Sequence, residues 1–203
     1  MAGTCGAQWL PCLRTPGREA ANGTVRTEME LSGVGYPAII VKNVEESLEF
    51  YAKLGATRLY MEPNRDDPES VQALLDVGGD NYLMLIGPTD PNLKLAEATL
   101  GVGSMQYVTL RVSGSFMDQV FFALSSAGLQ GSEEIRRGYE RLVFLEDPNG
   151  VLVLLVAWAT EPPAGMDRTR VLRRAAQFRE EAGDQFVEDT HVQRAIAEIQ
   201  ATS

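Results

Sequence analysis

Apolar residues in this chain gather into short runs whose period changes along its length, and those changes mark out the elements. Tyr36 to Val41, YPAIIV, has the β-branched content of a strand. Asn43 followed by Glu46 forms a capping box, and behind it Val44, Leu48, Tyr51 and Leu54 recur at helical spacing. This predicts a helix through Leu54 that Gly55 ends. Strand candidates follow at Thr57 to Met61, Val71 to Val77 and, beyond the Gly78-Gly79-Asp80 turn, Tyr82 to Ile86. The order is β-α-β-β-β.

The same order then repeats. After a linker, Gly87 to Gly103, whose Asn92 to Leu100 portion has helical character, Tyr107 to Val112 predicts a strand. Ser115 is placed to cap a helix that runs through Ala127, where Gly128 ends it as Gly55 ended the first. Leu129 opens a second-strand region, Leu142 to Leu145 is the third strand and Val151 to Trp158 the fourth. Between the last two, in Asp147-Pro148-Asn149-Gly150, Pro presets one turn dihedral and Gly accepts a positive φ, which predicts a hairpin. Val151 to Trp158 is apolar on both faces and needs cover on each, a helix behind and a partner sheet or an apolar ligand in front. Matching positions, Tyr36 with Tyr107, Val41 with Val112 and Met84 with Leu154, are offset by about 70 residues, which points to internal duplication.

Beyond Trp158, Thr160 to Gly165 reads as a linker, and two charged helical stretches follow, Asp167 to Ala182 and Phe186 to Ala201. The first sets Val171, Ala175, Phe178 and Ala182 in a narrow apolar stripe that needs a partner: its own domain, a second copy, or a pocket that it covers as a lid. The fold class expected is α+β. Two tandem βαβββ modules, residues 33–87 and 104–158, form a curled mixed sheet with an open cup inside a domain of residues 33–160. A leader, residues 1–32, precedes it and a helical extension, residues 161–203, follows.

Charge and composition narrow the picture. With 18 Lys and Arg against 28 Asp and Glu, a net charge of -10 argues against nucleic acid or anionic lipid as partner. No apolar run approaches a membrane span, so a soluble, cytoplasmic protein is expected. The leader lacks sustained periodicity and a signal-peptide core, and is expected to be disordered. Its Arg14, Arg18 and Arg26 leave an organelle transit peptide open, and Met29 offers an alternative start. Cys5 and Cys12 both lie there, so no disulfide framework is available to the modules.

The runs AIIVKNVEESLEFYAKLGA, YVTLRV, SSAGL and FLEDPNGVLVLL, in two consecutive βαβββ units, resemble the vicinal oxygen chelate superfamily, which includes glyoxalases, bleomycin-resistance proteins and extradiol dioxygenases. The resemblance spans residues 34 to 158. It implies that each module's strands curl into half of a cup with the helices outside and ligand within. It also implies a metal site of inward side chains, commonly a histidine in the first strand and a glutamate in the last strand of each module. The corresponding positions here are Tyr36, Met84, Tyr107 and Leu154. Tyrosine is protonated near neutral pH, and Met and Leu offer no hard oxygen to a divalent ion. The single histidine, His191, lies outside the modules, so no metal and no cofactor is expected. Beside Asp189 and Thr190 in a polar helix, His191 is expected to face solvent.

By strand alternation Ala38, Ile40, Tyr82, Ile86, Thr109, Arg111, Leu152 and Val156 share a face with those positions. The expected ligand-binding set is therefore Tyr36, Ala38, Ile40, Tyr82, Met84, Tyr107, Thr109, Arg111, Leu152 and Leu154. Such a lining suits an apolar or aromatic small molecule held by a few hydrogen bonds. In the alternative, Met84, Leu152 and Leu154 fill a dry core. Arg111 faces solvent, anchors an anionic or carbonyl-bearing ligand, or pairs with Glu140 or Asp76. No Ser-His-Asp or Cys-His arrangement and no phosphate-cradling glycine loop is available. Three functions follow. The first is metal-independent sequestration, carriage or sensing of a small molecule, as the resemblance to resistance proteins implies. The second is a metal-free isomerase, lyase or cyclase with Tyr107, Arg111, Tyr36 and Glu140 as acid-base candidates. The third is a partner-binding protein acting through its C-terminal helices. A homodimer that exchanges modules fits the same strands as a cup within one chain.

Overall fold

The computed structural model describes residues 32–90, 92, 93, 95 and 101–202. The chain divides into two units, Met1–Gly33 and Val34–Ser203. The expected leader and most of the helical portion of the linker lie outside the described residues. All elements below belong to the second unit.

The first module contains β1 (Ala38–Ile40), α1 (Val44–Lys53), β2 (Thr57–Pro63), β3 (Ser70–Asp76) and β4 (Tyr82–Pro88). Asn43 takes an extended conformation and its side chain accepts the Glu46 N–H at 3.2 Å, so the cap sits where the sequence placed it. α1 buries Val44, Leu48 and Tyr51, and also Ser47 and Phe50. Its sheet runs β1-β4-β3-β2, with β1 parallel to β4 across the α1 crossover and the remaining pairs antiparallel.

The second module contains β5 (Val108–Arg111), α2 (Gly114–Met117), α3 (Val120–Ser126), β6 (Ile135–Arg137), β7 (Glu140–Glu146) and β8 (Leu152–Trp158). Its sheet repeats the order as β5-β8-β7-β6. The register repeats as well: Ala38 lies opposite Met84 in the first sheet, and Thr109 opposite Leu154 in the second. The duplication inferred from sequence spacing is therefore a duplication of strand pairing.

The second module departs from the sequence reading in two places. Its helix is interrupted at Asp118 and Gln119, and the cap is Ser113, whose Oγ accepts the Phe116 N–H at 3.1 Å; Ser115 instead shares a hydroxyl contact with Ser113. The strand expected from Leu129 begins only at Ile135. In the gap, Gly131 passes so near the core that an added Cβ would stand 2.9 Å from both Leu124 of α3 and Val143 of β7, and the next residue ties to β7 at Phe144, the Ser132 N–H donating to its carbonyl at 2.8 Å and the Ser132 Oγ accepting its N–H at 3.0 Å.

One apolar core spans both modules. Strand residues such as Leu83, Leu85, Val153 and Leu155 pack with helix residues such as Val44, Tyr51, Met117, Val120 and Leu124. The Asp147–Gly150 turn adds a polar latch. Asn149 accepts the Lys42 N–H at 2.7 Å and donates to Ser47 Oγ at 3.0 Å, which ties the turn of the second module to the start of α1. Asp147, nearly fully buried, accepts the N–H groups of Asn149 and Val151 at 2.8 Å each, and the Tyr51 hydroxyl at 3.3 Å. Burial first, then the Asp147 charge, push the Tyr51 phenol far above its ordinary pKa, so it serves as a neutral donor.

Past β8, α4 (Arg168–Ala182) and α5 (Asp189–Ala201) form a hairpin with its own core: Val171, Ala175 and Phe178 from α4 meet Val192, Ala195, Ile196 and Ile199 from α5, and Trp158 joins them. The stripe on α4 thus finds its partner within the chain, although Ala182 at its end is exposed. Arg174 and Arg194 stack over Phe178 at 3.9 and 3.7 Å, and Arg168 over Trp158 at 5.0 Å. His191 is buried, contrary to expectation. Its Nδ1 accepts the Glu188 N–H at 3.0 Å and its Nε2 meets Asp184 Oδ2 at 3.0 Å. The physical reason is helical phase: His191 shares the buried face of α5 with Val192, Ala195 and Ile199, while its sequence neighbours Asp189 and Thr190 lie off it.

Candidate functional site

On β4 the buried leucines Leu83 and Leu85 face the helices, which leaves Tyr82, Met84 and Ile86 on the other side. On β5 Val108 turns inward, and Thr109 and Arg111 are exposed. Where Val34 to Pro37, the β3–β4 turn and β5 converge lies a cleft of about 500 Å³. Its lining includes Tyr36, Pro37, Val77, Gly78, Gly79, Asn81, Tyr82, Leu110, Thr109, Arg111 and Val156. Among the described residues Arg111 is the only charged side chain in that lining.

Some of the polar groups here are already engaged. The Tyr82 hydroxyl donates to Asp80 Oδ1 at 2.8 Å, and that hydrogen bond, with the Asp80 charge, raises the phenol's pKa. Asn81 Nδ2 donates to the carbonyls of Gly78 and Gly79 at 3.1 and 2.7 Å. Tyr36, Thr109 and Arg111, by contrast, have no side-chain hydrogen bond or ion pair among the described residues. Neither carboxylate proposed for Arg111 reaches it: Glu140 accepts from Arg137 at 2.9 Å, and Asp76 accepts the Gly78 N–H at 2.7 Å.

Of the residues expected to bind ligand, Tyr36, Tyr82, Thr109 and Arg111 meet in this cleft. Ala38 and Ile40 are exposed on β1 outside it, Ile40 to 73%. Met84 and Leu154 are buried, and Leu152 is half-buried outside the lining. Tyr107 also lies outside. Its hydroxyl is instead a neighbour of Arg137, whose guanidinium pKa is raised first by Glu140 and then by Tyr107. Sequence reasoning missed Arg137 as a companion of Tyr107 and Glu140, and missed the glycine turn as a wall of the cleft. The only signal for the turn was Gly78-Gly79-Asp80 itself, where φ is 90°, 61° and 60°.

The inward positions that hold metal in the resembled superfamily do not suit a divalent cation here. Met84 and Leu154 are both buried side chains without an oxygen, and Tyr36 is exposed. Among the described residues no group of three or more His, Cys, Asp or Glu side chains is placed to hold a metal ion. No described helix is long and apolar enough to cross a membrane.

The duplicated βαβββ sheets, with a cleft beside their first strands, define a class, and the family model confirms it over residues 33–155. The chain belongs to the Glyoxalase/Bleomycin resistance protein/Dioxygenase superfamily. Solved structures that share the fold include two at a TM-score above 0.5. SMU.1112c is 22% identical, with 63% of this chain and 100% of that one covered and a TM-score of 0.53. A glyoxylase/bleomycin resistance protein/dioxygenase domain from Frankia sp. EAN1pec is 14% identical, with 68% and 96% covered and a TM-score of 0.55. Comparison with curated proteins gives no match.

Proposed function

We propose that this protein binds a small, largely apolar molecule in the cleft beside β5 without a metal, and that it sequesters, carries or senses that molecule. The observation that carries this reading is the cleft of about 500 Å³, apolar and aromatic in most of its lining, into which Tyr36, Thr109 and Arg111 bring polar groups with no partner among the described residues. Small-molecule sites have this character: a concave apolar wall for affinity and a few polar groups for orientation. The unsuitable donor set at Tyr36, Met84, Tyr107 and Leu154 supports a binding mode without the superfamily's metal.

The test pairs native mass spectrometry and metal analysis of the full chain with ligand-observed NMR, using 2-naphthamide as a neutral aromatic probe. Thr109→Trp replaces an exposed side chain and puts an indole in the part of the cleft beside Arg111. Expected are substoichiometric divalent metal and probe binding that Thr109→Trp abolishes. A stoichiometric metal, or binding untouched by the indole, overturns the reading.

A metal-free isomerase, lyase or cyclase is the second reading, favoured by the neighbourhood of Tyr107, Arg137 and Glu140. On that reading Tyr107→Phe removes turnover of the ligand found by mass spectrometry and spares its binding.

A further inference from the structure

We infer that the cleft takes a monoanion, a molecule with an aromatic or aliphatic body and a single carboxylate that the Arg111 guanidinium receives. This rests on the cleft being a binding site, and it specifies the chemical class of the ligand.

The inference begins with charge balance. In a chain of net charge -10, seven of the twelve described arginines pair with carboxylates, while Arg58, Arg65, Arg170 and Arg173, like Arg111, have no ion pair among the described residues. Arg137 pairs with Glu140, Arg141 with Glu134 and Asp118, Arg168 with Glu161, and Arg174 with Glu198 and Glu181. Arg111 lines a concave site and has no such partner among the described residues. A guanidinium presents planar N–H donors that match both oxygens of a carboxylate, and bonds between charged partners are roughly twice as strong as neutral ones.

Geometry extends the match. Thr109 and Arg111 are two residues apart on β5 and therefore point to the same side, with Leu154 and Val156 as their respective neighbours on β8. Tyr36 and Thr109 supply hydroxyls for a further oxygen of the ligand, and Pro37, Val77 and Val156 supply apolar wall for its body.

The count of charges favours carboxylate over phosphate. One guanidinium balances one negative charge, and the lining holds no second cation among the described residues. A phosphate monoester, at about −1.5 to −2 near neutral pH, would leave excess negative charge in an already acidic protein. Asp80, joined to Tyr82 at the edge of the cleft, adds to that penalty.

The experiment uses the full chain and three probes that share a naphthalene body: 2-naphthoate, 2-naphthamide and 2-naphthyl phosphate. Dissociation constants are measured by calorimetry for the wild type and for Arg111→Gln, whose replaced side chain is exposed and has no structural partner among the described residues. In the wild type naphthoate should bind about tenfold tighter than naphthamide, and Arg111→Gln should erase that preference, costing naphthoate more than naphthamide. Equal affinities for acid and amide, or a preference that survives Arg111→Gln, overturn the anion assignment and leave the cleft reading standing. Phosphate binding tighter than naphthoate overturns the carboxylate assignment. Failure of every probe to bind the wild type overturns both the inference and the cleft reading.

Discussion

Asn149→Ala isolates the latch between the modules. The substitution removes an acceptor for the Lys42 N–H at 2.7 Å and donor contacts to Ser47 Oγ and Asp147 Oδ2 at 3.0 Å each. It spares the turn, because the backbone N–H of residue 149 still reaches Asp147 Oδ1. Lys42 is exposed, so water replaces its lost partner at little cost. The two part-buried contacts contribute about 1 kcal/mol each, for a total near 2 kcal/mol. For a domain of this size that corresponds to a Tm decrease of about 4–8 °C. Urea denaturation at unchanged m-value measures the loss, and a double-mutant cycle with Ser47→Ala should return a coupling of about 0.5–1 kcal/mol. A loss under about 0.5 kcal/mol together with zero coupling would falsify the latch, since water would then serve as well as the side chain.

Other substitutions probe the rest of the fold. Gly138 holds φ +60° with an added Cβ only 2.4 Å from the Val187 carbonyl oxygen, so Gly138→Ala should destabilise by about 2 kcal/mol or more through left-handed strain and backbone displacement. Hydrogen exchange should quicken in α4 and α5 and stay unchanged in α1; uniform exchange would contradict the contact. Arg141 hydrogen-bonds both oxygens of Glu134 and holds its carboxyl below the ordinary range. A depressed carboxyl pKa contributes stability above its unfolded value and loses it as pH falls through the folded one. Glu134→Gln should therefore destabilise at neutral pH, and its deficit should shrink as pH falls below the ordinary carboxylate range; a deficit that stays constant with pH refutes that role for the pair.

Local chemistry alone placed much of this molecule. Asn43 and Glu46 marked the start of α1, the glycines at 55 and 128 marked helix ends, and the spacing of about 70 residues between matching strands anticipated the repeated register of Ala38 with Met84 and Thr109 with Leu154. These follow from interactions within a few residues, or from a period that can be counted along the chain. The mismatch of Tyr36, Met84, Tyr107 and Leu154 with a metal was equally legible, because donor chemistry belongs to residue type. Contacts between residues distant in sequence were decided only by tertiary structure. Alternation put Tyr107 and Arg111 on one strand face, but the fold set Tyr107 beside Arg137 and Arg111 in a cleft walled by the Gly78–Asn81 turn of the other module. The burial of His191 depended on which side of α5 meets α4, and Asn149 became a latch only because α1 lies against its turn. Sequence period names the face a side chain occupies; what stands opposite that face is decided when separate elements share one core.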